Sequence, residues 1–251
     1  MPSLYNISFH IPKGKPGLAE LVILLTLLFF SSPTFAGTPK REVTKFLGIP
    51  VDGSRSAMEK KLSQKGFNYN PNSEYFEGEF NGEKVKVSIV TNNEKVWRIF
   101  IADAIYRDER AIKARFNNLC RQFDRKKQEY SYASSEDKNP FIIPDDQDLE
   151  YEIGAKRKRY EATYYQITTP IDTASLINFH IDYMSKRYTE EQICDFMNRP
   201  TDSIMYDLML EVSEYFGKRK VWFMIDREGY DRYRILMYYD NGYNKANGED
   251  L

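Results

Sequence analysis

Alternation of apolar and polar residues is the clearest pattern in the chain. Between residues 84 and 90, valine and isoleucine alternate with lysine and serine. A period of two predicts a β-strand with one buried face. Asn81-Gly82 stands just before it, and this pair fits a two-residue hairpin turn, so residues 75–80 are expected to form the partner strand. A third strand completes the meander, with Trp97, Ile99 and Ile101 on its core face.

Helical patterns flank this meander. Ser56 followed by Glu59 is a capping-box pattern that predicts the start of a helix, and Gly66 is expected to end it in the left-handed conformation. Asp108 is a suitable N-cap for the next helix. Its apolar residues recur at helical spacing and form one stripe: Ile112, Phe116, Leu119, Cys120 and Phe123.

The second half of the chain shows two further hairpin patterns. Leu149–Ala155 and Tyr160–Ile167 are predicted to pair through the basic turn 156–159. Strands 220–226 and 233–239 are predicted to pair around Glu228-Gly229, and their apolar residues on both faces indicate central or doubly covered strands. Helices are expected around 174–184 and 190–197, and from residue 202 onward.

Strands that arrive as hairpins, with helices between the groups, predict an α+β fold. An antiparallel sheet is built from the hairpins and the meander, and the helices pack on it. The expected organisation is a signal peptide at 1–36, a first subdomain at 37–130, a loop or linker at 131–148 and a second α+β subdomain at 149–251. The two subdomains could also share one continuous sheet.

Residues 13–36 have the three parts of an export signal. A basic start precedes the apolar run Leu18–Phe30, and Thr34 and Ala36 occupy the −3 and −1 positions of a small-residue cleavage site. The apolar run is shorter than the roughly 20 residues that span a bilayer. The sequence therefore predicts a periplasmic or secreted protein that meets the membrane only through its cleaved signal.

Residues near both ends of the predicted mature chain carry a family resemblance. Phe46-Leu47-Gly48-Ile49-Pro50-Val51-Asp52-Gly53, Lys65-Gly66-Phe67, Tyr238-Tyr239-Asp240-Asn241 and Asn247–Leu251 resemble an uncharacterised family of exported bacterial proteins. This family has no assigned activity, so the resemblance implies none. The layout of helix followed by meander is also similar to small envelope modules of the β-lactamase-inhibitor-like type, which bind other proteins.

Composition argues against several chemistries. The net charge of −1 provides no overall field that would attract nucleic acid. His10 lies in the leader, so His180 is the one histidine left for a zinc site or a Ser-His-Asp triad. Neither a Gly-x-Ser-x-Gly motif nor a phosphate-binding glycine loop is present, and no cofactor is predicted.

Three sets of residues are candidates for function. Tyr160, Tyr164, Tyr233 and Tyr238 could form a sugar- or peptide-binding platform, although such tyrosines are more often core or cross-strand pairs. Asp146, Asp148 and Glu150 have the alternate spacing of a calcium loop but lack its glycine and terminal glutamate, which favours a solvated acidic loop. Cys120 and Cys194 could form a disulfide or remain two thiols.

The leading hypothesis is therefore a non-enzymatic binding protein of the cell envelope, whose partner is an envelope protein or a glycan. A hydrolase of glycan or peptidoglycan that uses two carboxylates is the alternative, because that chemistry needs no histidine. A carbohydrate-binding module that uses exposed tyrosines is the third hypothesis.

Overall fold

The computed structural model describes residues 42–132, 139–167, 182–198, 207, 214 and 217–246, with the side chains of 196–198 excepted. The predicted leader, most of the predicted helix 174–184, the helix expected from residue 202, the end of the tail and His180 lie outside these residues. The described residues belong to two compact units. One contains residues 43–132, 139–167 and 217–246, and the other contains residues 42, 182–198, 207 and 214.

An eight-stranded antiparallel sheet forms the body of the first unit. Its strands are β3 (Asn68–Asn70), β4 (Tyr75–Phe80), β5 (Glu83–Asn92), β6 (Lys95–Asp103), β7 (Tyr130–Ser131), β8 (Glu161–Gln166), β9 (Lys220–Gly229) and β10 (Arg232–Asp240), in the spatial order β3-β4-β5-β6-β10-β9-β8-β7. A separate hairpin pairs β1 (Lys45–Phe46) with β2 (Ile49–Pro50). The predicted α+β class with an antiparallel sheet is confirmed.

Of the predicted turns at Asn81-Gly82 and Glu228-Gly229, the first forms as expected and the second is displaced. Asn81 and Gly82 have φ values of 56° and 76°, both positive as a type I′ turn requires, so the predicted β4–β5 hairpin is confirmed. The predicted last turn at Glu228-Gly229 was wrong by two residues. β9 continues through Gly229, and the chain turns at Tyr230 and Asp231, where Asp231 has a φ of 50°.

Two helices pack on one face of the sheet. α1 (Arg55–Gln64) lies against β5 and β6, and α2 (Glu109–Arg125) lies against β9 and β10. The predicted cap at Ser56 was wrong, because Ser54 Oγ accepts the hydrogen bond from Ala57 N at 3.3 Å and the helix starts two residues earlier. The predicted cap at Asp108 is confirmed by its 2.7 Å hydrogen bond from Ala111 N.

Residues 149–155 do not form the predicted strand. Glu150–Ala155 is a π-helical segment, and only β8 remains from the predicted hairpin. Asp148 Oδ1 accepts a hydrogen bond from Tyr151 N at 2.8 Å, which turns the chain at the start of the segment. Glu150 then pairs with Arg227 and Tyr233, so a tertiary contact outweighs the local alternation.

The hydrophobic core lies between the sheet and the two helices. β5, β6, β8, β9 and β10 each direct alternate side chains toward α1 and α2, so these positions form one helix-covered face. Aromatic rings fill its centre. Tyr164 stacks on Phe123 with centroids 4.2 Å apart, and Phe223 lies edge-on to Phe116 at 5.0 Å.

Gly78 in β4 is required by close packing. A Cβ at this position would lie 2.5 Å from the ring of Phe67, which is fully buried against α1 and the sheet. We expect Gly78→Ala to lower the free energy of unfolding by about 1–3 kcal/mol, although alanine is normally the better strand residue. Gly229→Ala in β9 is the control, because no atom lies within 4 Å of its added Cβ. Equal effects in urea denaturation would contradict the packing argument.

The second unit contains α3 (Glu190–Asn198), which confirms the helix expected around 190–197. Thr189 and Gln192 form its capping box, with Thr189 N donating to Gln192 Oε1 at 2.9 Å. Cys194 on this helix is exposed and Cys120 on α2 is buried, and both are free thiols. Burial raises the pKa of the Cys120 thiol to about 12. None of the described helices is long and apolar enough to cross a membrane.

Candidate functional site

The four tyrosines proposed from the sequence are divided between buried and half-buried positions. Tyr164 and Tyr233 are fully buried on the helix-covered face, and Tyr160 is only 9% exposed. Tyr164 Oη accepts a hydrogen bond from Asn139 Nδ2 at 3.0 Å, and Tyr233 Oη donates to Glu150 Oε2 at 2.5 Å. Tyr238 lies on the opposite face of the sheet and is half-buried. The structure therefore does not bring the four rings together as one surface.

The three carboxylates proposed for calcium are also separated by their contacts. Asp148 caps the π-helical segment, and Glu150 is bound by Arg227 and Tyr233. Asp146 lies in the exposed turn before them. Among the described residues, no group of three or more His, Cys, Asp or Glu side chains is arranged to hold a metal ion.

The second face of the sheet, opposite the helices, carries the most distinctive cluster of side chains. The strand register places Tyr238 of β10 directly opposite Phe100 of β6 and Trp222 of β9. The ring centroids of Phe100 and Tyr238 are 5.1 Å apart, and those of Tyr238 and Trp222 are 4.0 Å apart. We call these three half-buried residues the aromatic band.

An ion pair fixes one side of the aromatic band. Arg98 Nε and Nη2 donate to the two carboxylate oxygens of Asp240 at 2.6 and 2.7 Å, and Trp222 Nε1 donates to Asp240 Oδ2 at 3.0 Å. The Arg98 guanidinium carbon lies 4.8 Å from the Tyr238 ring centroid. Bidentate pairing and cation–π contact hold the rings in defined positions. These contacts therefore restrain the positions of the Tyr238 and Trp222 rings.

Apolar side chains extend the band along the same face. Leu236 of β10 lies opposite Ala102 of β6 and Met224 of β9. Val90 of β5 lies opposite Arg98 of β6. Aromatic residues, methionine and arginine are the residue types enriched in protein–protein interfaces. The face thus combines an apolar centre with fixed polar groups.

The faces of the aromatic rings are largely occupied by their neighbours. Trp222 and Tyr238 stack on each other with planes inclined by 13°, and Lys220 Nζ lies 5.0 Å from the Trp222 ring centroid. A sugar ring that stacks on an aromatic side chain needs a free ring face. The arrangement therefore favours packing of apolar side chains against ring edges over stacking of sugars.

A groove lies on the helix-covered side, between the β1–β2 turn and α2. Its volume is about 600 Å³, and its lining includes the apolar side chains of Leu47, Phe80, Phe123, Met237 and Tyr239. Two lysines and two glutamates line it as well: Lys45, Lys126, Glu79 and Glu129. The two positive and two negative charges cancel, so these four side chains give the groove no net charge that would select a charged substrate.

Among the residues that the structure describes, three glutamate carboxyls have a lowered pKa. Hydrogen bonds from Arg227 and Tyr233 lower the pKa of Glu150, and Lys156 lowers the pKa of Glu152. Burial raises the pKa of Glu109, but hydrogen bonds from Lys113 and backbone amides outweigh it and leave the pKa low. A general acid for glycoside hydrolysis needs a raised pKa. These three glutamates are therefore poor candidates for that role.

Sequence reasoning missed Phe100, Trp222 and Arg98 as candidate site residues. Phe100 and Trp222 occupy the strand positions between core residues, where a half-exposed aromatic side chain is a signal of binding. That signal is present in the sequence, but the pairing of β6, β10 and β9 is needed to bring the three residues together. Comparison with known protein families, curated proteins and solved structures found no match. The resemblances noted from the sequence therefore remain predictions.

Proposed function

We propose that this chain is an exported, non-enzymatic protein of the cell envelope that binds another protein through the aromatic band. The observation that carries the proposal is the contiguous row of Phe100, Tyr238 and Trp222, held by the Arg98–Asp240 pair on the face opposite the helices. Tryptophan, tyrosine and arginine are the residues that most often dominate binding energy at protein interfaces. The leader pattern supports the proposed location.

The two other functions proposed from the sequence have less support. Ring faces that are occupied by neighbouring side chains disfavour a carbohydrate-binding module. The lowered pKa values of Glu109 and Glu150 argue against a hydrolase that uses either residue as its general acid. A protein partner requires neither a free ring face nor a raised carboxyl pKa.

Site-specific photocrosslinking tests this proposal. A photoreactive phenylalanine analogue at position 100 is expected to cross-link a protein in the envelope fraction of the source organism. The same analogue at position 230 is the control, because Tyr230 is 81% exposed at the β9–β10 turn, away from the band. The identified partner is then purified, and its binding is measured against the Trp222→Ala and Tyr230→Ala variants.

Trp222→Ala is expected to weaken this binding by about tenfold or more, as an interface anchor does, whereas Tyr230→Ala changes it less than about twofold. Circular dichroism and thermal melting establish that both variants remain folded. Equal cross-linking from the two positions, or equal binding by the two variants, would exclude the aromatic band as the binding surface.

A further inference from the structure

Lys220 lies at the end of the aromatic band and, among the residues that the structure describes, forms no ion pair. It is half-buried on β9, and its Nζ lies 5.0 Å from the Trp222 ring centroid. Within the described part of the chain, no side chain or carbonyl forms a hydrogen bond or ion pair with this ammonium group. Partial burial disfavours the charged form and lowers the pKa of Lys220.

The two described carboxylates that act on Lys220, Glu161 and Asp240, are already paired with other cations. Asp240 accepts both hydrogen bonds of the Arg98 guanidinium, and Glu161 pairs with Arg159 at 3.0 Å. Glu161 and Asp240 favour the charged form of Lys220, whereas Arg98 and Lys245 oppose it. Because Arg159 and Arg98 each pair with one of these two carboxylates, Lys220 is the cation in excess among these residues, and it lies beside an apolar surface.

A partly desolvated ammonium group gains from an incoming anion, because its lost hydration is then replaced by a charge-assisted hydrogen bond. We propose that the partner protein places an aspartate or glutamate carboxylate on Lys220 Nζ and packs adjacent apolar side chains against the aromatic band. This inference rests on the proposed function and specifies the chemistry of its partner. Charge complementarity selects the acidic residue, and the occupied ring faces favour a protein acid over an acidic sugar.

Two matched peptides test the inference directly. Acetyl-Phe-Asp-Phe-amide carries the proposed acid between apolar side chains, and acetyl-Phe-Asn-Phe-amide replaces only the carboxylate. The chain has two tryptophans, so the indole N–H spectrum of the ¹⁵N-labelled full-length protein contains two signals, of which Trp222 reports on the band. At low salt we expect the Asp peptide to shift the Trp222 signal with a Kd about fivefold below that of the Asn peptide.

Lys220→Gln is expected to abolish this preference, whereas Lys86→Gln retains it. Lys86 is the matched control because it is also half-buried on the second face and lies over a tyrosine, 5.9 Å from the Tyr75 ring centroid. Glutamine keeps most of the side-chain length and polarity, so both variants should fold, and the unchanged second indole signal verifies this. Added salt should reduce the preference as well.

Equal affinities for the two peptides, or no binding of either peptide up to about 10 mM, would overturn the inference. A preference for the Asp peptide that persists in Lys220→Gln would also overturn it. So would a Trp222 shift that glucuronate produces and the Asp peptide does not. The photocrosslinking experiment separates this failure from failure of the proposed function. Partner binding that depends on Trp222 but is unchanged by Lys220→Gln would retain the protein interface and remove only the acidic contact.

Discussion

Replacing Phe223 by alanine is expected to lower the free energy of unfolding by about 3–5 kcal/mol. Phe223 is fully buried at the centre of the helix-covered face, where its ring contacts those of Phe116, Phe123 and Tyr164. These neighbours belong to α2 and β8, which are held by their own contacts and cannot collapse into the space that is lost. The variant should therefore leave a cavity, and its cost should be at the upper end for a core truncation. Urea denaturation followed by circular dichroism measures it.

Met224→Ala is the matched control, because Met224 is the next residue of β9 and lies on the second face. Its side chain is half-buried, so truncation should cost about 1 kcal/mol. The contrast between two adjacent residues tests which face of the sheet is covered by the helices. A similar loss in both variants would mean that the two faces are equally packed.

The sequence predicts the strands and caps that depend on neighbouring residues. The alternation in β5, the Asn81-Gly82 turn and the Asp108 cap all act within a few residues, and the structure has each of them. β1, β2, β3 and β7 are two or three residues long, too short for a period of two to be read. Their pairing depends on the rest of the sheet.

Tertiary contacts explain the error at residues 149–155. The segment has apolar residues at spacings that suit a strand, but Glu150 is bound by Arg227 and Tyr233, which lie about 80 residues later in the chain. No pattern within the segment itself reports these partners. The sequence therefore could not distinguish the π-helical segment from a strand.

The alternation of side chains along a strand predicts that Tyr233 and Tyr238 lie on opposite faces of the sheet, but it does not predict their partners. Tyr233 and Tyr238 lie five positions apart on β10, and an odd separation places two side chains on opposite faces. That conclusion required only the strand bounds. The partners of Tyr238 required the register as well, because Arg98 and Asp240, which fix the band, are 142 residues apart in the sequence.

Long-range pairing also joins the two ends of the first unit. Asn241 Nδ2 donates to Val51 O at 2.7 Å, and Asn244 Nδ2 donates to Asp52 Oδ1 at 2.7 Å. Val51, Asp52 and Asn241 belong to the segments from which a family resemblance is predicted, and these segments meet in space although they lie far apart in the sequence. A structural role in closing the fold accounts for these residues without any role in binding.

Asp103→Ala is expected to lower the free energy of unfolding by about 3 kcal/mol, because it removes the anion shared by two poorly exposed guanidinium groups. Asp103 Oδ2 accepts from Arg107 at 3.0 Å and Asp103 Oδ1 accepts from Arg115 at 3.3 Å, and the Asp103 side chain is 3% exposed. Arg107 would keep Glu83 as a partner, at 2.5 Å, whereas Arg115 would lose its only ion pair among the described residues. The loss of stability therefore comes mainly from the poorly exposed Arg115 charge, which has lost Asp103 as its partner.

Asp226→Ala is the matched control, since its ion pair with Arg234 has a similar 2.8 Å distance but both side chains are about 30% exposed. It should cost less than about 1 kcal/mol. Adding Arg115→Met to Asp103→Ala should recover part of the lost stability, because the unpaired charge is then absent and an apolar side chain fills the same space. Equal losses for Asp103→Ala and Asp226→Ala would show that Asp103 acts as an ordinary surface ion pair. A double variant less stable than Asp103→Ala alone would show instead that Arg115 stabilises the fold through packing of its aliphatic stem, and that its charge is solvated once Asp103 is gone.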